Sequence, residues 1–520
     1  MSKESKPAEF GTLRSFFWPV HSYELKKLLP MLLMFLCISF NYTILRDTKD
    51  TLIVTSSGAE TIPFLKVWGV VPAAVIFMLL YAKLSNILSK ENLFYAAITP
   101  FLVFFAVFAL VLYPNREMLH PNVSADLIQS YLPAGLGGLV ACYRNWTYSL
   151  FYVLSEIWGS AVLSLMFWGF ANEISRVNEA KRFYTLLGIG ANIALLMSGP
   201  AIVYFSDIRK HLPAGVDAWQ VSLNYLMTMV VVSGLITIGI YWWMNRKVLT
   251  DPRFYDPQEE KKGKKSKPKM GILESFAFLA KSKYILSIAI VVIAYGICIN
   301  LVEVTWKGQL KLQYPNPNEY NAFMGKFSFL TGATTIVMMF VGGWIIRKKG
   351  WGFAAMVTPV MLLATGVGFF GFIIFRDNLA GFISVLGTTP LMLAVLFGMA
   401  QNILSKSTKY SLFDPTKEMA YIPLDQESKV KGKAAIDVVG ARLGKSGGSF
   451  IQQGLLVVFG SIAAITPYVA VAMIGFIVAW MFAAGSLSRQ FNALTSGEKP
   501  KDKVPAATPA IKTEPEHVAS

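Results

Sequence analysis

Long apolar runs separated by short polar connections set the pattern of this 520-residue chain. A helix needs about 20 apolar residues to cross ~30 Å of hydrocarbon, and runs of that length recur from one end to the other. They predict twelve spans, at 28–54, 63–88, 92–113, 146–171, 183–205, 220–244, 284–306, 323–346, 352–375, 382–404, 434–460 and 465–487. The expected fold class is an all-α polytopic membrane protein. The polar segment 245–283 divides the spans six and six, into a first bundle over 28–244 and a second over 284–487. Residues 1–27 and 488–520 flank them, and the Lys-, Pro-, Ala- and Glu-rich tail from Ser496 reads as disordered.

Composition agrees: 54% hydrophobic and 15% charged residues exclude an ordinary soluble domain. A net charge of +17 would suit nucleic acid, but its distribution argues otherwise. Basic residues gather in alternate connections: the N-terminal segment, Lys83 and Lys90, Arg176 with Lys181 and Arg182, Arg347-Lys348-Lys349, and the Lys406–Lys433 connection. The longest run, Lys261 to Lys269, lies between spans six and seven and reads as a solvated linker facing anionic lipid. The opposite connections carry only Arg116, Arg144, Arg209, Lys210, Lys307, Lys311 and Arg376, with Lys66 near an end. That asymmetry predicts cytoplasmic termini. The first 25 residues mix acids with bases and match neither a signal nor a transit peptide, so a bacterial inner membrane fits best. Three cysteines build no disulfide framework, and all four histidines lie outside the spans. No metal or other cofactor is expected.

The informative residues are charges placed where lipid should be, since a Lys or Arg at a helix centre costs about 2.5–3.5 kcal/mol on insertion scales. In span one, Arg46, Lys49 and Asp50 share a helical face, with Tyr42 one turn below Arg46. Span four holds Glu156, and span seven holds Asn300 and Glu303. In span eleven, Arg442 and Lys445 repeat the three-residue spacing of Arg46 and Lys49. Two R-x-x-K faces from opposite bundles, with Glu156 and Glu303 as counter-charges, suit a polyanionic ligand. Tyr42 and Tyr152, each one turn from a charge, are candidates to stack on a ring. The bland alternative is a mutual ion-pair network, Lys49 with Glu303 or Lys445 with Glu156, that locks the bundles together or acts as an internal gate. The span-eleven glycines read mainly as close helix packing. Gly440 to Ser446 looks like a Walker A loop, but it is one residue short and lies within a hydrophobic helix, so a P-loop ATPase is set aside. A weak repeat offset by 252 residues brings Lys49 close to Glu303, as two six-helix halves around one site would. That is the major-facilitator-like arrangement.

Asn41 to Asp50, Ser155 to Ser160, Asn300 to Lys307 and Gly440 to Lys445 resemble the nucleotide transporter family of plastids and obligate intracellular bacteria. The similarity runs over nearly the whole chain outside its tails. It implies import of external ATP in exchange for internal ADP, in some cases with phosphate, by alternating access. It also implies critical roles for Lys49, Glu156, Glu303 and Lys445. A monomer in the lipid bilayer with no nucleic-acid partner is expected. The rivals are a proton-coupled nucleotide importer, a transporter of another organic phosphate, and a polytopic membrane enzyme.

Overall fold

In a computed structural model the protein is described over residues 18–255, 282–425 and 441–495, with a few positions between 428 and 436. Among the described residues every regular element is helical. The long helices are α1 (Leu25–Ser57), α2 (Thr61–Ile87), α3 (Lys90–Leu112), α4 (Trp146–Ile174), α5 (Val177–Asp207), α6 (Ala218–Lys247), α7 (Lys283–Gln313), α8 (Pro317–Ile374), α9 (Pro390–Thr408), α10 (Ala441–Phe459) and α11 (Ile462–Thr495). Nine helices of the described chain are long and apolar enough to cross a membrane. One of these, the 58-residue α8, is two limbs meeting at Gly350, whose φ of 81° only glycine adopts without strain. Helices α9 and α10 occupy the two remaining predicted positions. Helix ends therefore alternate between a terminal end, where α1 starts and α11 stops, and a far end.

Sequence chemistry sets the boundaries. Ser89, Asp217, Ser282, Asn316 and Thr389 each accept a backbone N–H from the first turn of the helix that follows. Pro317 and Pro390 stand at the starts of α8 and α9, where no donor is needed. This corrects two expected boundaries. Span ten begins at Pro390 rather than 382 and continues through a π-helical turn to Phe413, which draws Lys406 out of a connection and into the bundle. Span seven runs on past 306 to Gln313, so Lys307 lies inside the protein, 2% exposed, rather than in a loop.

Packing relies on small residues where backbones touch. A Cβ on Gly296 of α7 would sit 2.6 Å from the Gly444 Cα of α10, and one on Gly199 of α5 would sit 2.7 Å from the Gly325 carbonyl of α8. Helices in lipid lack a hydrophobic drive to associate, so such close approach supplies the dispersion contact. Gly444→Val is therefore expected to separate α7 from α10 and lower the melting temperature in detergent by several degrees, read by a thermal-shift assay.

At the terminal end Lys27, wholly buried, donates to the Ile174 carbonyl (2.5 Å), the Phe254 carbonyl (2.8 Å) and Glu179 (2.7 Å). One ammonium so ties α1 to the end of α4, the start of α5 and the chain beyond α6. Lys27→Met would strand Glu179 and two carbonyls. A cost of about 3–5 kcal/mol is expected, measured as a lower melting temperature with no direct change at the central cleft.

Candidate functional site

The polar contacts that join helices α1–α6 to helices α7–α11 gather toward the far end. There Arg209 pairs with Glu319 at 2.7 Å, and the Asn318 side-chain amide donates to Ser222 Oγ at 2.7 Å. Thr51 donates to Asn321 Oδ1 at 3.0 Å, and Asn321 in turn donates to Ser206 at 2.8 Å. Close packing accompanies them: Gly135 abuts the Leu456 and Val457 backbone, and Gly308 faces Ala59.

Beneath this seal lies a chain of alternating charges. The Lys49 ammonium is 2.9 Å from Glu156, 2.8 Å from Asp50, and 3.9 Å from the centroid of the Tyr152 ring. The second oxygen of Asp50 is 2.8 Å from Lys307, which is itself 3.2 Å from Glu303. Lys66 closes the line, 3.9 Å from Glu303 and donating to Asn300 Oδ1 at 2.6 Å. Lys49 and Asp50 come from α1, Glu156 from α4, Lys66 from α2, and Glu303 with Lys307 from α7. Asp50–Lys307 is the most deeply buried ion pair across the two groups of helices among the described residues, with both side chains 1–2% exposed. Burial on this scale requires partners on every side, which the alternation supplies.

A second cluster sits one turn toward the terminal end. Arg46 is held by Asp47 (3.0 Å) and donates to Ser328 (2.6 Å), which donates on to Asp47 (2.5 Å). Lys406 of α9 lies within the electrostatic reach of Arg46, Asp47, Glu303 and Lys307. Its ammonium rests 4.8 Å from the Phe327 ring centroid, and among the described residues no carboxylate comes within ion-pair distance of it. The two clusters together hold five cations, Arg46, Lys49, Lys66, Lys307 and Lys406, against four carboxylates, Asp47, Asp50, Glu156 and Glu303. The two clusters thus hold one cation more than carboxylates before Arg442 and Lys445 are counted.

The predicted residues are distributed as follows. Arg46, Lys49, Glu156, Asn300 and Glu303 come together in these clusters. Lys49 pairs with Glu156 rather than Glu303, and Glu303 turns to Lys307 and Lys66. Tyr42 packs on Gly159, where a Cβ would come within 2.7 Å of its ring. Tyr152 is fully buried, and one face of its ring carries the Lys49 ammonium. Arg442 and Lys445 stand in the first turns of α10, but their side chains fall outside the described residues.

Sequence reading did not single out Lys66, Lys307 or Lys406 as site residues. For Lys307 a signal existed, its i+4 position from Glu303 on one helical face. Short π-helical stretches at Leu65–Val70, Gly159–Phe167 and Lys409–Phe413 each contain or adjoin a site residue. Such wide turns rotate side chains off the regular helical stripe.

A polytopic helical fold with a buried, net-cationic charge cluster between two groups of helices points to a membrane transporter. Solved structures agree on the fold. The chain matches a bacterial homologue of the iron transporter ferroportin (TM-score 0.56, 12% identity, covering 90% of this chain and 100% of that one). It also matches a D-xylose–proton symporter (TM-score 0.53, 11% identity, covering 89% and 97%). At such identities the likeness speaks for the major-facilitator-type fold alone. Sequence goes further: the TLC ATP/ADP transporter profile matches residues 3–491, and the chain belongs to that family. ADP,ATP carrier protein 1 of Chlamydia muridarum is 65% identical over 493 residues, 94% of this chain and 93% of the relative. The chloroplastic ADP,ATP carrier protein 2 of Arabidopsis thaliana is 55% identical over 477 residues, 91% and 76%. ADP,ATP carrier protein 1 of Rickettsia bellii is 43% identical over 499 residues, 95% and 99%.

Proposed function

We propose that this protein exchanges ATP for ADP across a bacterial inner membrane by alternating access, importing ATP from outside, with phosphate as a further cargo. The termini face the cytoplasm, so the far end is the external side, and the conformation described is closed there. Twelve spans in two halves, 28–244 and 284–487, working as a monomer, complete the reading. Lys49, Glu156, Glu303 and Lys445 carry it, with Arg46, Arg442, Asn300 and Tyr42 around the nucleotide and Tyr152 bracing Lys49.

The observation that carries this reading is the buried charge line joining the halves, together with its unmatched cation. Asp50, Glu156 and Glu303 hold the lysines and keep the external side shut. A tri- or tetra-anionic phosphate chain competes with those carboxylates for the same ammoniums. A ligand shifts a conformational equilibrium only by binding its states unequally, and substrate that replaces gate contacts does so. An empty carrier keeps its network and turns over slowly, so transport is obligate exchange.

The test is uptake of labelled ATP into proteoliposomes. Preloading with ADP is expected to accelerate uptake strongly over empty vesicles, and an imposed pH gradient is expected to leave it unchanged. Uptake that needs the gradient and ignores internal ADP would point instead to a proton-coupled importer.

A further inference from the structure

The first group of helices presents an aromatic ring and a cation one helical turn apart, Tyr42 and Arg46, along α1. The second group offers the same two chemistries in reverse order: Lys406 near the end of α9, and Tyr410 four residues on, in the π-helical turn Lys409–Phe413. Because α1 runs from the terminal end and α9 runs toward it, the reversal puts like with like. The cations lie deeper and the rings nearer the terminal end. Arg46 donates to Ser328 at 2.6 Å and Lys406 rests 4.8 Å from the ring of Phe327, the neighbouring residue of α8, and Tyr410 lies within electrostatic reach of Tyr42. Tyr410 is 53% exposed; the Lys409 ammonium sits 4.6 Å from its ring centroid and is anchored by Asp414 at 2.7 Å.

We infer that Lys406 and Tyr410 form the second jaw of a nucleotide clamp, opposite Arg46 and Tyr42, with phosphates gripped between the two cations and the base between the two rings. This rests on the exchange reading above and adds residues to it. The charge argument is direct. Arg46 is matched by Asp47, whereas Lys406 has an aromatic ring beneath it and no carboxylate partner among the described residues. A cation kept unpaired inside a membrane protein marks a ligand pathway. The aromatic argument is one of placement. A ring with a cation packed on it and open space beyond is poised to stack, and its partner ring stands on the other group of helices. Exchange of nucleotides through such a clamp would need both jaws, coupling substrate occupancy to closure of the halves.

The test measures affinity of the purified full-length protein for ATP and for AMP, beside ATP/ADP exchange by the wild type. Lys406→Gln is expected to weaken ATP binding about tenfold or more and AMP binding much less, so the preference for ATP over AMP falls. Tyr410→Ala is expected to weaken both nucleotides about five- to tenfold, leaving that preference intact. Lys406→Arg and Tyr410→Phe, which keep charge and ring, are expected to stay near wild type. Equal losses in the conservative variants would assign both residues a structural role and overturn the clamp. So would unchanged binding in Lys406→Gln and Tyr410→Ala. Photolabelling of the wild type with 8-azido-ATP needs no variant to fold: label on the segment 405–413 or around Tyr42 of α1 supports the clamp, and label confined to other segments overturns it. Failure of the wild type to exchange ATP for ADP would instead remove the exchange reading.

Discussion

Lys49→Gln is expected to reduce ATP/ADP exchange in proteoliposomes by roughly 10²-fold or more, with the protein still reaching the membrane. Lys49 touches Asp50, Glu156 and the Tyr152 ring, so it is the branch point of the charge line. Removing one member of a buried pair typically costs about 3–5 kcal/mol, because the stranded partner remains uncompensated. Glu156 is stranded here and Asp50 is left with Lys307 alone, and both then face the phosphates of an arriving nucleotide with the wrong sign. The affinity for ATP should fall along with the rate. Lys49→Arg separates charge from shape: a planar guanidinium restores the sign but not the compact ammonium that meets Asp50, Glu156 and the Tyr152 ring at once, so partial recovery is expected. Near-normal exchange by Lys49→Gln would remove this cluster from the transport mechanism.

Lys307→Gln should open the far end. The Asp50–Lys307 pair joins α1 to α7 at 2.8 Å with almost no solvent contact. A tenfold change in population needs only about 1.4 kcal/mol, less than the loss of such a pair usually brings. In a background lacking Cys37, Cys142 and Cys298, a cysteine placed at Ser57, beside the seal, should react with an impermeant thiol reagent at least several times faster in Lys307→Gln than in its parent. Lys307→Arg should keep the slow rate. The double variant Asp50→Asn/Lys307→Gln should be no more reactive than the worse single variant, since both remove the same contact. Additive effects would mean that the two residues act separately and that the pair is not the gate.

Much of this protein was legible without coordinates, for definite physical reasons. A bilayer demands about 20 apolar residues per crossing, so the spans announced themselves. The cost of charge in hydrocarbon made Arg46, Lys49, Glu156 and Glu303 conspicuous against that background. The Asn41–Asp50 stretch carried the family resemblance, which the relatives at 43–65% identity bear out.

Pairing was another matter. Which carboxylate meets which lysine depends on how helices hundreds of residues apart rotate and slide against each other, and no local preference encodes that. Lys49 found Glu156, not Glu303, and Lys307 took the place across the halves that the ion-pair alternative gave to Lys49. Lys307 and Lys406 were read as loop residues because hydropathy averages over a window, whereas the true helix ends follow capping and π-helical turns a few residues away. The sequence by itself therefore determined the membrane class, the helical fold and the charges that had to be sheltered. Only the tertiary structure decided which of those charges neutralise one another, and which one, Lys406, has no carboxylate within ion-pair distance among the described residues.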